Sequence, residues 1–308
     1  QDNPHQPHIL LAEKHLISAS PTIDSIPFNN ALDTLIQLVQ FNAMNEEEKI
    51  INAYITSGHA DSNYESKRRS DEAKERQFTF EAYAYDFITQ RNKKELRPAC
   101  NAGPDFIIDH YDHAINIEAV APDFRNPITE RKENSRFEND CFDQDQDLEH
   151  WSTGVFDKTK KYNKYLQNGF VQKIDINIIA ISNITFGSNF SCNELQNHWP
   201  LLCQYLFDID FSTKIINPQT GEQCFVSREN FKKTRGGKVE TNIFLQPKHG
   251  HISAILLFDY IQKKWHMIHN PLATHPIQKE YFYDLDHVFC ECNEQWRTLT
   301  RKRDNNLI

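Results

Sequence analysis

Gly103-Pro104-Asp105-Phe106-Ile107-Ile108, followed by Ala114-Ile115-Asn116-Ile117-Glu118-Ala119-Val120, is the stretch on which the fold turns. Two short apolar runs are joined by Asp109-His110-Tyr111-Asp112-His113, a polar segment suited to a turn, so the pair predicts a β-hairpin. A carboxylate, Asp105, opens the first run, and a second, Glu118, sits inside the next between Ile117 and Val120. An ionised Glu in an apolar strand is costly unless something compensates it. A divalent cation is a common partner for such a carboxylate.

Working outward, the segment before the hairpin, Phe78 to Arg91, carries Phe80, Tyr83, Ala84, Phe87 and Ile88 at helical spacing, with Glu81 at the edge of that stripe. After the hairpin, Pro122 terminates the strand. The charged, poorly patterned stretch Asp123 to Glu149 predicts an acidic loop. Its acids do not match a calcium-binding EF-hand, because the sixth residue from Asp143 is Leu148 and the twelfth is Gly154. Trp151 to Asn168 predicts a helix, with Val155, Phe156, Tyr162, Tyr165 and Leu166 on one side, lysines on the other, and Gly169 as its stop. Ile174 to Ile181 is an almost continuous apolar run, as in a buried central strand.

Towards the ends the signals thin out. Residues 29 to 57 predict two amphipathic helices, and Gly58 to Asp71 a polar connection, within an N-terminal helical extension over about 1–70. Asn193 to Asp208 predicts a helix and 209 to 248 a loop-rich region. His251 to Phe258 and Trp265 to His269 predict a second hairpin, and Tyr281 to Arg301 a closing helix. With Leu96 to Cys100 as a short first strand, the order is helix, three strands, helix, strand. The 308 residues then read as a single α/β domain, with a core over about 75–273 and a C-terminal helical segment over about 280–303.

Composition bounds what such a domain can do. The chain is 39% hydrophobic and 25% charged, ordinary for a globular protein, and its 21 Phe predict an aromatic-rich core. No run of about 18 apolar residues is present, so no membrane-spanning helix is expected, and Gln1-Asp2-Asn3-Pro4 carries no leader-like pattern. Seven scattered cysteines argue against a disulfide framework and for a reducing, cytoplasmic location. The net charge of −9 counts against bulk attraction to nucleic acid, although basic clusters occur at Lys158-Lys164, Lys232-Lys238 and Arg301-Arg303. Paired histidines such as His249 with His251 are expected by chance among 14. His287, Cys290 and Cys292 lack the second Cys pair of a zinc site.

Pro104-Asp105 opening one strand and Glu118-x-Val120 ending the next resemble the PD-(D/E)xK nuclease superfamily, in which two such acids bind magnesium. Phe80-Glu81-Ala82-Tyr83, Ile117-Glu118-Ala119-Val120-Ala121-Pro122, Lys158-x-x-x-Tyr162-x-x-Tyr165-Leu166, His251-Ile252-Ser253-Ala254-Ile255 and His269-Asn270-Pro271 extend the likeness to a group of bacterial nuclease-like proteins. The resemblance implies a restriction-endonuclease-like core with a central mixed sheet flanked by helices. It further implies Mg²⁺ or Mn²⁺ held by Asp105 and Glu118 with help from Glu81, and DNA or RNA as substrate.

The chain departs from that pattern at the superfamily's lysine, where it has Val120. Lys158, on the helix after the hairpin, is the candidate replacement as base or transition-state cation, with Lys161 in reserve. Lys161, Arg235 and Lys238 are the candidate substrate-binding residues. A catalytically inactive, nuclease-fold interaction module, with a protein partner, is the competing expectation. A hydrolase acting on another substrate is a third. His269 and Asn270 are expected to cap a turn.

Overall fold

The computed structural model describes residues 46–60, 64, 71–98, 102–122, 144–184, 199–216, 221, 223–227, 230–232, 238–292 and 296–303. The chain forms two compact units, Gln1–Lys49 and Ile50–Ile308, and the elements below belong to the second.

Helix α1 (Glu72–Asp86) starts six residues before the apolar stripe that predicts it. The reason is its cap: the Asp71 carboxylate accepts the Lys74 backbone N–H at 2.8 Å, and Glu72 and Glu75 sit in the positive first turn. A π-helical turn, Phe87–Arg91, extends it, and the Asn92 side chain donates to the Phe87 carbonyl to close it. Strands β1 (Phe106–His110) and β2 (His113–Val120) form the expected hairpin, with Phe106 opposite Ile117 and a two-residue connection, Tyr111-Asp112.

Helix α2 (Gln144–Asn168) takes in residues 144–149, which sequence assigns to the acidic loop; residues 123–143 lie outside the described residues. It stops at Gly169, whose φ of +75° lies in the left-handed region that Gly adopts at no steric cost. Strand β3 (Ile176–Ser182) follows, buried along its whole length.

One nine-stranded mixed sheet carries the fold, in the order β1-β2-β3-β8-β9-β10-β11-β5-β4. Its other members are β4 (Ile209–Ile216), β5 (Gln223–Ser227), β8 (Ala254–Asp259), β9 (Lys264–His269), β10 (Asp286–Cys292) and β11 (Trp296–Arg303). A separate ribbon pairs β6 (Asn230–Lys232) with β7 (Lys238–Glu240). β2, β3 and β8 run parallel, and parallel strands covered on both faces read as near-continuous apolar runs.

Alternation along β3 shows the two faces. Ile176, Ile178 and Ala180 pack with Phe80 and Phe87 of the α1 side, whereas Ile179 and Ile181 pack with Trp151, Val155 and Tyr162 of α2. The aromatic core expected from composition is present, with Phe87 and Phe258 stacked on Trp265 at 4.5 and 4.4 Å between ring centroids. Tyr162 ties α2 to two strands at once, its hydroxyl donating to the carbonyls of Asn116 and Ile178, both at 2.8 Å.

Three expectations are corrected. Leu96 to Cys100 is not a first strand: residues 93–98 are irregular. Arg97 makes one backbone bond to Ile107, and Pro98, lacking an N–H, cannot extend the ladder; residues 99–100 lie outside the described residues. Tyr281 to Arg301 is not a helix but the β10–β11 hairpin, with Asp286 opposite Arg303. Leu285, Val288 and Phe289 fit a helical spacing. However, β9 offers an open edge, and β10 pairs with it in parallel, from Asp286 opposite His266 to Val288 opposite Ile268. Residues 209–248 are not loop-rich, because β4 and β5 continue the sheet beyond β11.

Elsewhere, Asn193 to Asp208 is helical over α3 (Leu202–Phe207), closed by Asp208 in the left-handed region, and residues 193–198 lie outside the described residues. Within the expected N-terminal extension, residues 50–56 are helical and bury Ile50, Ile51 and Tyr54. Residues 1–45, 61–63 and 65–70 lie outside the described residues. Among the described residues, no helix is long and apolar enough to cross a membrane.

Phe87→Ala, which empties the stack on Trp265, is expected to lower unfolding stability by about 3–5 kcal/mol in urea titration, with the slope of the transition unchanged.

Candidate functional site

Glu118 faces α2 because Ile117 and Ala119, its neighbours along β2, are committed to the α1 side. Its side chain is fully buried. That burial is compensated by three donors from one helix. Lys158 Nζ and Lys161 Nζ reach its Oε2 at 2.7 and 2.8 Å, and the Tyr165 hydroxyl donates to Oε1 at 2.8 Å. Positions 158, 161 and 165 lie on one face of α2, so a single helix delivers all three.

Asp105, one residue before β1, enters from the partner strand of the hairpin. Its Oδ2 accepts the Ala119 backbone N–H at 2.8 Å and lies 3.6 Å from Lys158 Nζ. The Lys158 ammonium therefore contacts both carboxylates. Burial works against its charge, but Asp105 and Glu118 outweigh burial and hold its pKa above the usual lysine value. Lys161, more exposed at 41% of its side chain, is shifted upwards for the same reasons.

Glu81 completes the acidic side from α1. Gln77, one turn earlier on that helix, donates to Glu81 Oε1 at 2.9 Å and to the Ala119 carbonyl at 3.3 Å, and accepts the Ala121 N–H at 2.6 Å. Burial, and then the charge of Asp105, push the Glu81 carboxyl up to about 7. Three acids thus share a site in which one is forced towards the neutral form. α2 passes close to the end of β2 at Gly154, where a Cβ would meet Pro122 Cγ at 3.2 Å, a tight contact, and Val120 Cγ2 at 3.6 Å, an ordinary one.

Glu81, Asp105, Glu118, Lys158 and Lys161 are accordingly brought together as the sequence predicts. Lys161 lies directly on the buried acid rather than at the periphery. Val120 packs against the core on the α2 side. Arg235 and the side chain of Lys238 lie outside the described residues.

Tyr165 and Gln77 were missed. Their signals were the Lys158-x-x-Lys161-x-x-x-Tyr165 spacing and the Gln77-x-x-x-Glu81 spacing, both placing polar groups one or two turns apart on a helix. Asn270 is the turn cap expected, accepting the Leu272 N–H and donating to the Ile252 carbonyl, whereas His269 is no cap but the last residue of β9, its ring bonded to that of His287 at 2.9 Å.

The donor set suits a hard divalent cation, being all oxygen: Asp105, Glu118, Glu81 and the Ala119 carbonyl. No group of three His, Cys, Asp or Glu among the described residues is gathered closely enough to form a ready metal cluster. Lys158 supplies the compensation between Asp105 and Glu118. No family model, curated protein or solved structure matches this chain.

The Glu81 shift has a consequence for stability. With a folded pKa raised from 4.5 to about 7, its proton stabilises the native state fully at low pH, and that contribution is lost as pH rises through 7. Relative to Glu81→Gln, the wild type is expected to lose up to about 3 kcal/mol between pH 4.5 and 7.5. Denaturant unfolding measured across that range checks both the sign and the window.

Proposed function

We propose that this chain hydrolyses phosphodiester bonds in nucleic acid in a metal-dependent reaction, on a restriction-endonuclease-like core formed by α1, β1, β2, α2 and β3. The observation that carries the reading is the convergence of Asp105, Glu118 and Lys158 at the end of a hairpin, with Lys158 Nζ within 3.6 Å of both acids. Asp105 and Glu118 would hold Mg²⁺ or Mn²⁺, with Glu81 assisting. The ion supplies Lewis acidity at the scissile phosphate and acidifies a bound water.

The chain's own groups have separable tasks. Lys158, held protonated by its two carboxylates, acts as a cation against charge building on the phosphate rather than as the resting base. Glu81, partly protonated near neutral pH in the metal-free site, would give up that proton when the ion binds. Tyr165 fixes the Glu118 carboxylate through Oε1, and its hydroxyl also lies 2.7 Å from the Gly103 carbonyl, linking the helix to the entry of β1. Gln77 fixes Glu81 against β2. Lys161, the most exposed of the group, is placed to meet a phosphate of the substrate backbone.

One observation favours a second reading, an interaction module that keeps the fold without the reaction. Lys158 and Lys161 already neutralise Glu118, so the structure balances without a metal, and the net charge of −9 opposes approach of a polyanion.

Cleavage of plasmid, linear duplex and single-stranded DNA and RNA with Mn²⁺ or Mg²⁺ separates the two. Asp105→Ala and Glu118→Ala are expected to lower the rate about a hundredfold or more, and Lys158→Met to lower it comparably while Mn²⁺ still binds. No cutting by the wild type in either metal, together with no calorimetric Mn²⁺ binding, would favour the interaction module. Calorimetry carries a further signature. Binding of Mn²⁺ at pH 6.5 should release about three-quarters of a proton from Glu81, seen as a buffer-dependent heat, and Glu81→Gln should remove that release.

A further inference from the structure

At the far side of the sheet, β10 places Cys290 and Cys292 two residues apart on one face, with their sulfurs 3.4 Å apart. Both are free thiols. Strand alternation puts His287 on the opposite face, where its ring bonds His269 at 2.9 Å, so the three residues do not form a zinc site. The two thiols differ in setting. Cys290 is buried against the α2-side core, whereas Cys292 is the last residue of β10 and is exposed. Arg297 lies opposite Cys292 in the β10–β11 register.

We propose that Cys290 and Cys292 are a redox-active dithiol, closing to an intrachain disulfide by exchange with a small-molecule disulfide such as glutathione disulfide. This inference is independent of the nuclease reading. Cys292 is the attacking thiol, because it is accessible and the hydrogen bond with Cys290, helped by the charge of Arg297, favours its thiolate over the opposing effects of partial burial and Asp208. Its sulfur bonds to one sulfur of glutathione disulfide and releases one glutathione thiolate. Cys290, its proton passing to that thiolate, then attacks the Cys292 sulfur and expels the second glutathione as a thiolate, which takes a proton from solvent. Two protein thiols are oxidised and one disulfide is reduced to two thiols, so atoms and electrons balance.

Geometry indicates that the bond would be labile. Residues two apart in a strand have Cα atoms about 6.6 Å apart, near the upper end of the range disulfides span, so closure draws the end of β10 inward. Only one residue has to move, since the strand ends at Cys292. A bond formed under such distortion is readily reduced, as regulatory disulfides are.

The test is native-state treatment with glutathione disulfide, thiol blocking, trypsin digestion and mass spectrometry. The fragment Glu280 to Arg297 contains these two cysteines and no other, so closure appears as the loss of two hydrogens within one peptide. The wild type is expected to give that closed peptide and to reopen with dithiothreitol. Cys290→Ser should accumulate a glutathione adduct at Cys292, and Cys292→Ser should slow modification at Cys290 at least about tenfold. A wild-type peptide that stays reduced, that reacts only after denaturation, or that stops at a glutathione adduct would overturn the proposal.

Discussion

The structure depends on the burial of one charge. Glu118 stands near the end of β2, the second strand from the edge of the sheet, with no exposed surface, and an uncompensated carboxylate there would be far too costly for a protein of ordinary stability. Two ammoniums and a phenol hydroxyl meet it, all from α2, so the helix cannot slide or rotate without exposing a buried charge. Tyr162, between Lys161 and Tyr165 on the same helix, ties α2 to β2 and β3 through their carbonyls. The register of helix against sheet and the electrostatics of the site are therefore one constraint.

The same arrangement concentrates acid at one end of the hairpin. Asp105 and Glu118 come from adjacent strands, Glu81 from the opposite helical layer, and Gln77 locks Glu81 to the edge of β2. Burial, and then the charge of Asp105, drive the Glu81 carboxyl towards neutrality.

Much of this was legible in the residues. The hairpin could be read from two apolar runs around a polar pentapeptide, and β3 from its unbroken run of apolar residues. The end of α2 could be read from Gly169. Lys158 could be read as an amine on the helix that follows the hairpin. The less legible parts share a cause. Val288 and Phe289 occur in a run short enough to fit either period, and only the free edge of β9 decides for a strand. The first turn of α1 has no apolar stripe, so its Asp71 cap was overlooked. Leu96 to Cys100 looks extended, but Pro98 withholds the bond a strand there would need.

What the sequence by itself determined is the set of local periods and the chemistry they carry: an alternating or continuous apolar run, a helical stripe, two acids in a hairpin, and lysines along one helix. These depend on neighbours within a few residues, whose spacing is set by backbone geometry. Only the tertiary structure decided which strands join the sheet at its far edge, that Tyr165 and Lys161 end on Glu118, and that Cys290 meets Cys292 while His287 turns away. Those outcomes depend on open hydrogen-bonding edges and on the compensation of buried charge. Both arise from residues far apart in the chain, so no local pattern records them.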